Sequence, residues 1–379
     1  MIKCKTCNLP ETYETIEFNK KGGCNICHSN ISLKKKINWK KRFKELIKII
    51  NLYKDKHDYD CIVPFSGGKD STFQLYTIIK KLNLKPLVIR FNHGFLRPKT
   101  IENTNRTLKK LGADIIDFTP NWNIVKLLMS ESFKRKTDFC WHCHTGIYSY
   151  PIKLAIKLNI PLIIWGEPLA EMSAYYKYDE IEEEDEEKFN KVRNLGISST
   201  DMKGMLLAAG HKFDERDLLP YEFPDYSEYK KNKIRSINLG NYIKWDYNKN
   251  VKLIKKELGW QSDELEGVPD IANPFSSKIE CYMQGTRDYI KYLKRGYSRI
   301  SQNMASELRN KNITIKKAKK LIQDEGKIPP SLDVFLKFIN LNEKEFNDII
   351  KESTVYPHKF KPGKVKAKKT LDFKDWYKE

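Results

Sequence analysis

Cys61-Ile62-Val63-Pro64-Phe65-Ser66-Gly67-Gly68-Lys69-Asp70-Ser71 begins as a short apolar run and ends as a polar turn built on paired glycines. An apolar run of this length reads as a buried strand over 61–65, and the chain leaving the glycine turn reads as a helix over 71–82. A helix that starts this close to a strand end presents backbone N–H groups without helical partners, and such groups favour a phosphate or pyrophosphate. ATP is therefore the expected ligand. The spacing Gly-x-x-x-x-Gly-Lys-Ser/Thr is absent around the turn, which argues against a kinase built on a Walker A loop.

Ser66-Gly67-Gly68-Lys69-Asp70-Ser71 resembles the pyrophosphate-loop signature Ser-Gly-Gly-x-Asp-Ser of the ATP pyrophosphatases. Members of that superfamily adenylate a carbonyl oxygen with ATP, release pyrophosphate, and let ammonia or sulfur displace AMP. The resemblance implies that Ser66, Gly67, Gly68 and Ser71 surround phosphate, that Pro64 and Phe65 belong to the nucleotide site, and that Lys69 offsets developing charge. Asp70 then either holds Mg2+ or fixes the turn.

The surrounding pattern alternates strand and helix. Strands are predicted over 86–91, 114–118 and 160–165, and helices over 39–52, 100–111, around 125–133 and over 146–158. Such alternation predicts an α/β fold, a mostly parallel sheet with helices on both faces, whose strand ends form one crevice. Asn92-His93-Gly94 and Gly166-Glu167 both follow strands, which brings them toward the loop at Ser66. His93 is a candidate to polarise an oxyanion or relay a proton, and it reads equally as a loop histidine bonded to backbone. Glu167 is a candidate to bind Mg2+ or accept a hydrogen bond from ammonia, with a helix-capping carboxylate as the alternative. Arg90 and Gly166 are expected beside the nucleotide, Arg90 facing a phosphate or carboxylate.

The 379 residues allow two or three domains, placed at 1–35, 36–265 and 266–379. Seventy basic against 49 acidic residues give a formal charge of +21, a surface that attracts nucleic acid, nucleotide sugars or anionic membrane without choosing among them. No signal peptide opens the chain and no apolar run approaches the ~20 residues needed to span a bilayer, so a cytoplasmic protein is expected. Beyond Glu167 the pattern loosens. Residues 179–187 hold eight carboxylates, read as an exposed helix or loop, and Lys359 to Lys369 holds six lysines, read as a solvated tail or docking surface. Leu218-Leu219-Pro220-Tyr221 and Asn241-Tyr242-Ile243-Lys244-Trp245-Asp246 are aromatic segments expected to close over substrate. A C-terminal helical region is expected around 335–350, after Pro329-Pro330.

Six of the eight cysteines fall in three Cys-x-x-Cys pairs, which in a reducing compartment points to ligands or thiols rather than disulfides. Cys4, Cys7, Cys24 and Cys27 suit a tetrahedral Zn2+ in a module too short to fold on its own core; a redox pair or an iron–sulfur cluster is the alternative. Cys140 and Cys143, with Cys281 as the unpaired third, suit a 4Fe–4S cluster with one open iron, a pattern that looks like the cluster-containing branch of tRNA thiolases. A second Zn2+ with His142 or His144, or free thiols, are the competing readings. Cys61, inside the strand, reads as a small buried hydrophobe.

Taken together, the amino-terminal knuckle, His57-Asp58-Tyr59-Asp60-Cys61 leading into the loop, Phe139-Cys140-x-x-Cys143, Trp165-Gly166-Glu167, residues 241–246 and the region of Cys281 resemble the N-acetyl sugar amidotransferase family of surface-polysaccharide biosynthesis. The resemblance covers most of the chain and implies an adenine-nucleotide alpha-hydrolase-like fold. It also implies an activity that turns the acetamido group of a nucleotide-linked N-acetyl sugar into an acetamidino group. Ammonia would come from a separate glutaminase, channelled with a cyclase-like partner. The rival is an ATP-dependent tRNA thiolase, for which nucleic acid would be the substrate. A non-catalytic nucleic-acid-binding module is a third reading, resting on the lysine-rich tail.

Overall fold

The computed structural model describes residues 1–28, 37–168, 198–264, 279–323 and 325–367; the acidic run over 179–187, the turn-like 273–277 and Lys368-Lys369 lie outside the described residues. The chain forms two compact units. The first comprises Ile37–Glu131 and Cys140–Gln261, and the second Met1–Lys36, Ser132–Phe139 and Ser262–Glu379.

The first unit is an α/β fold around a five-stranded parallel sheet. Its strands are β1 (Cys61–Pro64), β2 (Pro86–Phe91), β3 (Asp114–Phe118), β4 (Leu162–Trp165) and β5 (Arg235–Asn238), in the order β3-β2-β1-β4-β5. β1 pairs with β2 on one side and β4 on the other, so the winding reverses beside β1, where open parallel sheets form their ligand crevice. The helices are α1 (Trp39–Asn51), α2 (Lys69–Tyr76), α3 (Pro98–Leu111), α4 (Trp122–Lys136, which from Ser132 onward is counted with the second unit), α5 (Trp141–Lys157), α6 (Ser199–Ala208), α7 (Tyr226–Lys231) and α8 (Tyr247–Leu258).

The expected strands β2 and β3 are present with the expected ends, because both are bounded by residues that break pairing and carry enough β-branched or aromatic side chains. The register between β1 and β2 is pinned by the buried Asp60. Its carboxylate accepts Lys85 N at 2.7 Å and Asp55 N at 2.6 Å, so Cys61 stands opposite Pro86.

Several elements differ from expectation; β1 ends at Pro64 rather than Phe65, and β4 begins at Leu162 rather than Ile160. The helix after the loop starts at Lys69 rather than Ser71 and gives way at Thr77–Lys81 to one wider π-type turn. The helix expected from Gly146 begins five residues earlier, at Trp141. Cys140 is thereby its N-cap and Cys143 lies in its first turn. β5 carries no strand signal of its own: Arg-Ser-Ile-Asn is too short and too polar to read as a strand, and it forms because β4 offers it an edge at Leu162–Trp165.

Two clusters of the core of this unit pack along the sheet. Ile62, Leu87, Ile89 and Ile163 pack with Ile152, Ala155 and Ile160. Phe91 packs with Ile124, Leu128, Trp141, Met202, Leu206 and Tyr221 in another cluster. Burying an aliphatic side chain completely contributes about 1.5–3 kcal/mol, so these residues hold the strand ends in place. Tyr221 is fully buried in that cluster, against Phe91 at 5.7 Å, which corrects the expectation that its segment covers substrate.

The second unit joins the amino-terminal cysteine module to α9 (Gln284–Arg295), α10 (Arg299–Arg309), α11 (Ile315–Leu321), α12 (Ser331–Ile339) and α13 (Glu343–Glu352). Thr12 Oγ1 donates to Arg295 O at 2.5 Å and Arg295 Nη1 donates to Thr12 O at 2.7 Å. The Tyr13 and Tyr297 rings lie 5.4 Å apart, and Ala305 packs into the cysteine cluster. Glu325 caps α10 by accepting Ser298 N at 3.0 Å and Ser301 N at 2.9 Å. No helix among the described residues is long and apolar enough to cross a membrane.

Candidate functional site: a phosphate-type loop and a cysteine metal centre

The turn after β1 takes its shape from Gly67, whose φ of +79° lies in the left-handed region. A Cβ there would stand 2.5 Å from Thr104 Oγ1 and 2.9 Å from Thr100 Cγ2, so only glycine fits. The hydroxyls close the turn on itself. Ser66 N donates to Ser71 Oγ at 3.3 Å, Gly68 N donates to Ser66 Oγ at 3.3 Å, and the two hydroxyl oxygens are 3.1 Å apart. Gly68 begins α2 without a side-chain cap, and Thr72 N is the first to reach back, to Gly68 O at 3.1 Å. The preceding N–H groups thus form the positive end of a helix at the sheet's switch point, which is a favourable place for an anion.

Lys69 is buried and forms an ion pair with its neighbour Asp70. Trp245 Nε1 donates to the other Asp70 oxygen at 3.3 Å, and Lys69 Nζ lies 4.9 Å from the Tyr247 ring centre. On the opposite side Trp260 Nε1 donates to Gly67 O at 3.2 Å. Trp245, Tyr247 and Trp260 flank or begin α8, so one helix brings three aromatic side chains to the loop. Residues 241–246 are legible in the sequence as an aromatic segment, whereas no local signal marks Tyr247 or Trp260 as loop contacts.

Arg90 lies under the loop. It forms an ion pair with Asp117 on β3, and its Nη1 donates to Thr104 Oγ1 at 3.2 Å, the hydroxyl that faces Gly67 and itself donates to Thr100 O at 2.9 Å. The structure therefore uses Arg90 to hold the wall against which Gly67 packs.

His93 follows β2 and is buried. Its Nδ1 accepts Phe95 N at 3.1 Å, which assigns the ring proton to Nε2. Burial pushes its pKa down to about 4, and the nearby Arg90 guanidinium pushes in the same direction. A neutral imidazole with a protonated Nε2 can donate to developing negative charge. A relay through both nitrogens would have to break the bond to Phe95.

Gly166 and Glu167 follow β4. Gly240 N donates to Gly166 O at 2.9 Å and Asn238 Nδ2 donates to Glu167 O at 2.7 Å, so the ends of β4 and β5 are zipped together. Gln74 of α2 donates to Ile164 O, tying the helix that follows the loop to β4. A Cβ on Gly166 would lie 3.0 Å from Gln74 Oε1, which leaves little room for a side chain. Ser66, Lys69, Asp70, Arg90, His93, Gly166 and Glu167 thus all stand at or beside the strand ends of one sheet. A groove of about 540 Å³ runs along the later part of α2 and the adjoining π turn, lined by Phe43, Phe73, Thr77, Ile243, Asn250 and Leu253. One of its walls, Phe73, also meets the ring of Trp245.

In the second unit the Cys4, Cys7, Cys24 and Cys27 sulfurs all lie within 4.8 Å of one another, buried. Cys7 and Cys24 sulfurs are 3.7 Å apart and those of Cys4 and Cys27 are 4.0 Å apart. Bonds of about 2.3 Å in a zinc tetrathiolate place sulfurs about 3.8 Å apart, so the donor set fits a tetrahedral metal. Hydrogen bonds from Cys27 and Cys7 draw the Cys24 thiol down to about 2, while Cys24 pushes Cys7 up to about 12 and Cys27 higher still. Four thiols this close need a cation to ionise together.

Cys140 and Cys143 stand three residues apart at the start of α5, on one helix face, where the helix N-terminus favours thiolate. Cys281 belongs to the other unit, where its sulfur accepts Met283 N at 3.4 Å. Cys61 is fully buried and its thiol is pushed up by burial, consistent with a hydrophobic role.

Residues 275–374, about a quarter of the chain, match the family model of the LPS biosynthesis protein WbpG-like, C-terminal domain. An uncharacterized protein of Methanocaldococcus jannaschii is 27% identical over 221 residues, covering 54% of this chain and 76% of that protein. The solved structure of the U34-tRNA thiolase NcsA from Methanococcus maripaludis, with its 4Fe–4S cluster, aligns over 83% of this chain and 90% of its own at 13% identity and a TM-score of 0.32. A predicted subunit of tRNA methyltransferase from Methanocaldococcus jannaschii aligns over 52% of this chain and 87% of its own at 19% identity and a TM-score of 0.21. Scores this low assign neither substrate nor chemistry. The first unit is an α/β fold whose parallel sheet carries a glycine turn at its switch point. The carboxyl-terminal part of the chain carries the LPS-biosynthesis match.

Proposed function

We propose that the chain is an ATP-dependent N-acetyl sugar amidotransferase. It adenylates the acetamido carbonyl of a nucleotide-linked N-acetyl sugar and replaces the oxygen with ammonia, giving an acetamidino group, AMP and pyrophosphate. The observation that carries this reading is the Ser66–Ser71 turn at the switch point of the sheet, with the buried Lys69 paired to the part-buried Asp70 at its centre. The carboxyl-terminal match to an LPS-biosynthesis domain supports a sugar substrate over RNA.

The chemistry requires an amide oxygen, a poor leaving group, to be made a good one. Backbone N–H groups of the loop would hold the phosphates, and Lys69 would offset charge as pyrophosphate departs. Mg2+ carried by the nucleotide would be held by Asp70 and Glu167, and when bound it neutralises phosphate charge. His93 would donate from Nε2 to the oxygen that gains charge. Exclusion of water keeps the adenylated amide from hydrolysis and ammonia from protonation. Ammonia would come from a separate glutaminase through a cyclase-like partner, in the cytoplasm.

Cys4, Cys7, Cys24 and Cys27 would hold Zn2+ as a structural ion. Cys140 and Cys143 would offer two thiolates to a 4Fe–4S cluster or a second Zn2+. The placement of Cys140 and Cys143 on one face at a helix start favours a second reading, a tRNA thiolase that uses such a cluster.

One assay separates the two. Purified anaerobically, the protein is incubated with ATP, ammonium and candidate sugar nucleotides, or with sulfide and tRNA, and products are resolved by mass. Exchange of O for NH lowers the sugar mass slightly, whereas exchange of O for S raises the base mass. Release of ADP and orthophosphate in place of AMP and pyrophosphate would defeat both.

A further inference from the structure

Asp70 is gripped from both sides. Trp245 Nε1 donates to Oδ1 at 3.3 Å, while Lys69 Nζ donates to Oδ2. Trp245 is itself fixed: its ring meets Phe73 edge-on at 5.1 Å and runs beside Gly166, where a Cβ would lie 3.7 Å from the indole. One buried indole therefore touches Asp70 on the loop after β1 and flanks Gly166 on the loop after β4. Tyr247, two residues on, lies against the Lys69 ammonium at 4.9 Å.

We infer that Trp245 is a positioning residue for the nucleotide site: it immobilises one oxygen of Asp70 so that the other, now held by Lys69, is the one presented to cation-bound triphosphate. The inference rests on the reading of this loop as an ATP site. An indole N–H only donates, so it orients a carboxylate without competing with it for a cation. A short charged side chain at a helix start has several rotamers available, and a hydrogen bond to a fixed indole selects one. Tyr247 does the same for Lys69 through the face of its ring.

The test is ATP binding by calorimetry in Mg2+ and in EDTA, using the full chain. Trp245→Phe keeps the ring contact with Phe73 and removes the donor. Its affinity for ATP should fall about tenfold in Mg2+, the equivalent of a lost hydrogen bond to a charged group, and stay within about twofold in EDTA. Asp70→Asn should show the same metal-dependent loss, and the double variant no more than either alone. Tyr247→Leu should weaken binding equally in both conditions, because Lys69 faces phosphate charge whether or not metal is present. As a spectroscopic readout, saturating MgATP should shift tryptophan emission alike in wild type and in Trp260→Phe, and the shift should vanish in Asp70→Asn. Additive losses for Trp245→Phe and Asp70→Asn, or an unaltered affinity in Trp245→Phe, overturn the positioning role while leaving the ATP site standing. Absence of ATP binding in wild type overturns the site and the positioning role together.

Discussion

Trp260 donates its indole N–H to the carbonyl of Gly67 at 3.2 Å, across 193 residues of chain. The bond matters because it gives the buried Gly67 carbonyl a donor from outside the loop. Asn103 secures the segment that carries Trp260: its Nδ2 donates to Gln261 O at 2.8 Å and its Oδ1 accepts Gln261 N at 2.9 Å. The loop's geometry is therefore maintained from α3 and from the end of α8 as well as from its own sequence.

Trp260→Phe should destabilise the protein by roughly 1–3 kcal/mol, the cost of leaving a buried carbonyl without its donor while keeping most of the ring. A urea titration followed by far-ultraviolet circular dichroism measures it. No change in the midpoint would mean that the Gly67 carbonyl is satisfied in another way.

Gly67→Ala should be worse, and local. A side chain at φ +79° adds strain of roughly 1–3 kcal/mol, and its Cβ would meet the Thr104 hydroxyl at 2.5 Å. ATP binding should be lost while most of the helical signal remains. An alanine variant that binds ATP normally would show that the turn is less constrained than its geometry indicates.

His93 sets a pH dependence whose sign follows from its burial. Its folded pKa, about 4, lies below the ordinary value of 6.5, so the unfolded chain binds the extra proton first as pH falls. The stability that His93 contributes is fully present above pH 6.5 and is lost as pH drops toward 4, by up to about 3 kcal/mol. His93→Gln should flatten the stability profile between pH 7 and pH 4. The same group should add no titration to activity between pH 6.5 and 8, since it is already neutral there.

Chelation of the amino-terminal metal should unfold more than the cysteine module. Thr12 and Arg295 exchange hydrogen bonds, and Glu14 forms ion pairs with Arg295 at 3.4 Å and Lys291 at 3.9 Å, so the module is built into α9. Cys24→Ser should lower bound zinc, and hydrogen exchange should rise over 284–309 as well as over 1–28. Protection that falls only within 1–28 would mark the module as an independent fold.

Part of this structure was readable from local sequence because local physics produces it. An apolar run before paired glycines encodes a strand and a turn through burial and backbone freedom, and β2 and β3 stand where their composition placed them. The four cysteines of the knuckle meet because two short turns and a small loop leave them little choice. Three features needed the assembled fold. β5 exists only because β4 presents an edge to an otherwise undistinguished Arg-Ser-Ile-Asn. Arg90 turns toward Asp117 on the next strand instead of declaring its partner in its own segment. The contacts of Trp245 and Trp260 with the loop span 175 and 193 residues, a separation over which no sequence periodicity carries information. Chain neighbours set backbone conformation, and only packing decides which distant side chains become neighbours.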